Sequence, residues 1–187
     1  ALQMTQIQVY NTGSNAAKAQ LLREKLALAG VFIYQRLDST NAQAMRDLAA
    51  GEACPFLVLA RQQTAGKGRR GRVWESPAGA GLYYSLALEL KAENRNLAAL
   101  SLVTALSVHA ALTELGVTNL NLKWPNDVLN CGRKLSGILL ESMFRGGSQF
   151  LVIGIGVNLN LPAAIKTSLG QPVTDLAALG LQAADPD

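Results

Sequence analysis

Apolar positions along the chain fall into two kinds of stretch, one spaced every three to four residues and the other every second residue. Residues 16–29 carry Ala, Leu, Lys and Glu at helical spacing and stop at Gly30, which predicts a helix. Residues 31–37 then read as a strand. Asp38, Ser39, Thr40 and Asn41 form a capping cluster for a second helix running to about Ala50 before Gly51, with Thr40 and Gln43 as its capping box. Phe56–Ala60 is a short apolar run suited to a buried strand. Residues 82–90 alternate, which predicts a strand with Leu82, Tyr84, Leu86, Leu88 and Leu90 on its apolar face. A third helix is expected over residues 97–115, ending at Gly116, followed by a short strand over 120–124. Residues 134–144 and 149–158 read as a hairpin turned by Arg145, Gly146, Gly147 and Ser148. A last short helix is expected within 173–181. Helices precede and interrupt a run of neighbouring strands, so the fold class is α+β, with a mixed, largely antiparallel sheet flanked by helices.

Composition narrows this picture. A chain of 187 residues with 49% hydrophobic content buries one substantial core and is short for two. Cys54 and Cys131 have the spacing of neither a metal cluster nor a disulfide framework, and no secretory pattern or apolar run of membrane-spanning length is visible. A cytoplasmic setting is expected. The formal charge is only +4, yet Arg61, Lys67, Arg69, Arg70 and Arg72 crowd into twelve positions, which predicts an anionic guest.

Those cations share residues 62–74 with Gly66, Gly68 and Gly71, so backbone can approach a ligand that the side chains neutralise. A Walker A loop is excluded, because Arg61 and Gly68 stand where it needs glycine and Ser or Thr. A flexible solvated loop or a basic patch touching nucleic acid stands as the alternative that charge alone leaves open. Trp74 offers an aromatic face for a base or a guanidinium, or simply closes the loop. In Lys123-Trp124-Pro125-Asn126-Asp127, proline stiffens a strand exit, and the lysine and carboxylate either pair or serve a phosphate and its magnesium. Lys134 begins an apolar strand, where its ammonium needs a partner. Residues 154–158 fail as a dinucleotide fingerprint, since Leu159 replaces the third glycine, and Asn158 is a turn residue or a ligand contact. His109 lies within the third helix and is expected to pack rather than to catalyse.

Taken in order, residues 38–41 (DSTN), 63–74 (QTAGKGRRGRVW), 123–127 (KWPND) and 133–139 (RKLSGIL), continued by 154–158 (GIGVN), resemble the biotin protein ligases over about residues 37–160. The resemblance implies a two-step reaction. Biotin and Mg-ATP give biotinyl-5'-AMP and pyrophosphate, and the biotinyl group then passes to a lysine of a biotin carboxyl carrier domain, as in acetyl-CoA carboxylase. By the same resemblance Ser39, Thr40, Asn41 and Gln63 are biotin contacts, and Lys67, Gly68 and Arg69 belong to a loop closing over biotin and adenylate. Arg72 and Trp74 then meet phosphate and adenine, with Lys123 adding charge. Lys134 contacts the activated carboxyl and phosphate, while Asn126, Asp127 and Asn158 line the nucleotide and acceptor region.

Arg69 and Lys134 are accordingly expected to stabilise the transition state at phosphorus, and Asp127 to help the acceptor lysine lose its proton. Magnesium ligands are not assigned. The loop is expected to order only with ligand. Lys67 departs from the arginine more usual in the family, which keeps the charge but loses a bidentate fork. The catalytic domain is expected to fill residues 1–187, without an N-terminal helix-turn-helix, DNA partner or small C-terminal β domain; a homodimer is compatible. A lipoate or octanoyl ligase or transferase of the same fold, and a non-catalytic binder of biotin or adenylate, remain as alternatives.

Overall fold

The computed structural model describes residues 13–90 and 96–181. Helix α1 (Gly13–Lys25) leads into strand β1 (Gly30–Tyr34), helix α2 (Thr40–Ala50) and strand β2 (Phe56–Ala60). Beyond the basic loop come β3 (Gly81–Leu90), α3 (Leu97–Glu114), β4 (Leu120–Lys123), β5 (Asp127–Asn130), β6 (Arg133–Arg145), β7 (Ser148–Asn158) and the short α4 (Ala163–Ser168). The seven strands form one sheet in the order β1-β2-β3-β7-β6-β5-β4. Only β1 and β2 run parallel, so the expected mixed, largely antiparallel α+β architecture is the one observed.

Helices cover both faces of this sheet. On one, Ala44 and Leu48 of α2 close over Phe56, Val58, Ala87, Phe150 and Val152. On the other, Ala105, Val108 and Leu112 of α3 pack on Val128, Leu135, Ile138, Ile155 and Val157. Double coverage revises the reading of β3, whose deeper face is Tyr83, Ser85 and Ala87 rather than its leucines. Leucine alternation marks an apolar face, but small residues reveal where a helix comes closest.

Several boundaries also move. The first helix ends at Lys25 because Ala27 takes a left-handed conformation (φ 50°) and the amide of Leu28 returns to the Arg23 carbonyl, burying Leu28. The expected strand over 31–37 is β1, ending at Tyr34. The cap of α2 is Ser39, whose hydroxyl accepts from the Ala42 amide, and Gln43 bonds Asp47 instead of closing a box with Thr40. Strand β5 was not anticipated, since four residues at the tail of a polar motif carry too little alternation. The expected helix at 173–181 shrinks to a 3-10 turn at Ala177–Leu179, because Val173 forms an isolated β-bridge with Lys134. His109 is half-buried on α3, away from both clefts described below. No helix among the described residues is long and apolar enough to cross a membrane.

Candidate active site

The cavity arises where the α2-facing side of the sheet runs out of bulk. Along that face β6 and β7 present the cross-strand neighbours Gly137 and Gly156, then Gly154, with Ser85 of β3 opposite Gly154. The Trp74 indole lies across the glycine pair: a methyl group at either Gly137 or Gly156 would come within 2.6 Å of the ring. Glycines that look like a failed dinucleotide motif therefore provide a floor on which a loop tryptophan rests.

At the N-terminus of α2, Ser39, Thr40 and Asn41 are all buried. Thr40 donates from its amide (2.8 Å) and its hydroxyl (3.1 Å) to Gln63 Oε1, and Gln63 Nε2 donates to Ser76 Oγ at 2.8 Å. Asn41 Nδ2 donates to Glu141 Oε2 at 2.9 Å, while Ser85 Oγ stands 2.6 Å from Asn41 Oδ1 and 2.8 Å from Thr40 Oγ1. These residues line a cleft of about 430 Å³ together with Lys67, Gly68, Arg69, Trp74, Asn126 and Lys134. Ser85 and Glu141 went unnoticed in the sequence because each stands in an apolar strand far along the chain from the motifs it supports. Period-two alternation flags Ser85 only once the buried face is known.

A second cleft, of about 1230 Å³, lies on the other side of the basic loop. Arg69, Arg70, Arg72, Lys123 and Lys134 face it against the carboxylates of Glu75 and Asp127, so its field is strongly positive. Gly68, Arg69, Trp74, Asn126 and Lys134 belong to both clefts. Lys134 is fixed there from two sides, its Nζ 2.9 Å from Asp127 Oδ1 and 5.1 Å from the centre of the Trp74 ring. Only 15% and 14% of the Lys134 and Asp127 side chains are exposed, and that Asp127 oxygen has no well-aligned hydrogen bond. The pair thus keeps capacity for a further ligand.

Loop geometry follows from the same residues. Arg70 is left-handed (φ 57°), Gly68 donates to the Arg72 carbonyl at 2.7 Å, and the Trp74 amide returns to Gly66 at 2.8 Å, closing residues 66–74 on themselves. Arg69 reaches Asn126 Oδ1 at 3.2 Å, and Asn126 Nδ2 is anchored on the Ile138 carbonyl at 2.9 Å. Arg72 and Lys123 are exposed at the larger cleft. Asn158 is buried, and its Nδ2 ties the carbonyls of Lys134 (3.2 Å) and Thr174 (3.0 Å), so its bonds reach protein backbone at the cleft wall. Every residue to which the resemblance gives a ligand or catalytic role lines at least one cleft.

Residues 33–158 match the model of the biotin/lipoate A/B protein ligase family. The chain belongs to this family. Within it, a biotin–acetyl-CoA-carboxylase ligase of Paracoccus denitrificans is 45% identical over 160 residues, which cover 81% of this chain and 65% of that protein. The biotin protein ligase of Aquifex aeolicus solved in complex with biotin and ATP superposes with a TM-score of 0.68 at 35% identity, covering 83% of this chain and 63% of that one. The Leishmania major enzyme solved with biotinyl-5-AMP gives 0.67 at 26% identity, covering 83% and 68%. The match spans less than two thirds of the Paracoccus and Aquifex proteins.

Proposed function

We propose that this protein joins biotin to ATP as biotinyl-5'-AMP and transfers the biotinyl group to a lysine of a biotin carboxyl carrier domain, in the cytoplasm. The observation that carries the reading is the wall common to the two clefts, where Lys134 and Arg69 stand between a small, polar-ended cavity and a wide cationic one. Biotin suits the first: buried donors and acceptors of Ser39, Thr40, Asn41 and Gln63 meet its ureido ring, and its carboxylate points to Lys134. ATP suits the second, with Arg72 and Lys123 on its phosphates and Trp74 and Asn158 toward the base. That relatives were solved with biotin and ATP and with biotinyl-5-AMP supports biotin and ATP as the ligands.

In the first step a biotin carboxylate oxygen attacks the α-phosphorus, and the bond to pyrophosphate breaks. Negative charge grows at phosphorus, where Arg69 and Lys134 are preorganised by Asn126 and Asp127. In the second, the acceptor amine attacks the acyl carbon and AMP leaves. Asp127 holds Lys134 during activation and is the carboxylate placed to take the amine's proton. Magnesium arrives with ATP as part of the substrate. Among the described residues no group of three or more His, Cys, Asp or Glu side chains could hold it alone, and one or two carboxylates plus phosphates is its usual set. Asp127 and Glu75 are the carboxylates at that cleft.

Pyrophosphate exchange into ATP, measured with biotin, lipoate or octanoate, tests this. Exchange is expected with biotin alone and lost in Lys134→Ala. Exchange driven by lipoate or octanoate reassigns the substrate, and biotin binding without exchange makes the protein a binder.

A further inference from the structure

Beyond β7 the chain builds one side of the larger cleft from Leu161, Leu169, Gln171 and Val173. None of these sits in a regular element that would hold it, since α4 spans only six residues and the rest is turn and coil. Beside backbone bonds to Lys134 and Asn158, a buried carboxylate ties the segment together. Asp175 is fully buried, and its Oδ2 accepts the Leu161 amide at 2.8 Å and lies 2.5 Å from Lys166 Nζ on α4. Its Oδ1 accepts the Ala178 amide at 2.8 Å, at the 3-10 turn. One side chain thus gathers three points of the loop that carries the cleft wall.

The same segment fixes Lys134 through backbone. The Lys134 amide donates to Pro172 at 2.9 Å, the Thr174 amide returns to the Lys134 carbonyl at 3.0 Å, and Leu176 continues the ladder onto Asn158 at 3.1 Å. Burial opposes the charge of Asp175, but the bonds from Lys166 and the two amides outweigh it, holding its carboxyl below the usual range. The latch is ionic at neutral pH. Asp175 does not itself line either cleft, so it acts through what it holds.

We propose that Asp175, latched by Lys166, is a positioning residue that sets the apolar wall of the nucleotide cleft and thereby determines ATP affinity, reaching the biotin cavity only through the backbone of Lys134. This rests on assigning the larger cleft to ATP. The separation is geometric: the smaller cleft includes no residue beyond Gly156, and the bonds of this segment to Lys134 are to its backbone, while the Lys134 side chain is held by Asp127.

Calorimetric titration of ATP and, separately, of biotin without nucleotide tests the latch on wild type, Asp175→Asn, Lys166→Met and Lys166→Arg. Loss of a hydrogen-bonded charge predicts that Asp175→Asn and Lys166→Met weaken ATP binding by about tenfold. Biotin binding should stay near the wild-type value, and Lys166→Arg should restore ATP binding. Lys166 is partly exposed, so its variants report even if Asp175→Asn does not fold. Unchanged ATP binding in Lys166→Met, or equal weakening of both ligands, overturns the latch, as does a wild type that binds no ATP. ATP binding with no biotin-dependent exchange instead removes the ligase reading and leaves the latch to be judged by the titrations.

Discussion

In the proposed reaction Lys134 has to be charged to serve a phosphate and yet lies mostly out of water, and Asp127 reconciles the two. Truncating one member of such a pair leaves the other buried and alone, at a typical cost of about 3–5 kcal/mol. Urea unfolding should therefore show Lys134→Met to be strongly destabilised and the double variant Lys134→Met/Asp127→Asn to recover much of the loss. Pyrophosphate exchange should recover in neither. A double variant as unstable as the single one would mean that the ion pair does not set the cost. The thiols differ in a way that modification can read. Burial and the nearby Glu89 push Cys54 up to about 11, whereas Cys131 is exposed on the turn between β5 and β6. At pH 8 a thiol reagent should consume Cys131 quickly and the half-buried Cys54 far more slowly, followed by mass spectrometry.

At the scale of elements, the start of α2 combines a cap with the polar edge of the smaller cleft. Ser39→Ala should cost about 1 kcal/mol through loss of the bond to the Ala42 amide. Gly156→Ala should weaken biotin binding while leaving the sheet intact, because its methyl would displace the Trp74 ring rather than backbone, and titration with near-ultraviolet circular dichroism would show both effects. Much of this region was legible in the sequence. The strand at Phe56–Ala60, the hairpin through Gly146 and Gly147 and the basic loop all announce themselves by period or turn chemistry. Legibility failed where long-range pairing overrides local pattern. Val173 reads as the start of a helix but joins Lys134 in a strand bridge, and Ser85 reads as the polar face of β3 although α2 buries it. The partners of Asn41 and Gln63 lie up to 100 residues away, and no spacing rule reaches that far.

For the molecule as a whole, acid stability follows from its carboxylates. Arg46 beside Asp38 lowers that carboxyl to about 2, and Asp175 is lowered as well. Groups whose folded pKa is depressed contribute fully above their unfolded pKa, and the contribution is lost as pH falls toward the folded value. Burial raises Asp47, which works in the opposite sense. Thermal midpoints should thus hold nearly level down to about pH 4 and drop between pH 4 and 2, with a shallower drop in Asp38→Asn. A drop that begins near pH 6 would point to other groups. The wall common to the two clefts has one more consequence. Two separate guests each surrender their own freedom of tumbling, whereas a single compound spanning both chambers surrenders it once. If the proposed reaction holds, a non-hydrolysable mimic bridging the acid and the nucleoside should therefore dissociate far more slowly than either half.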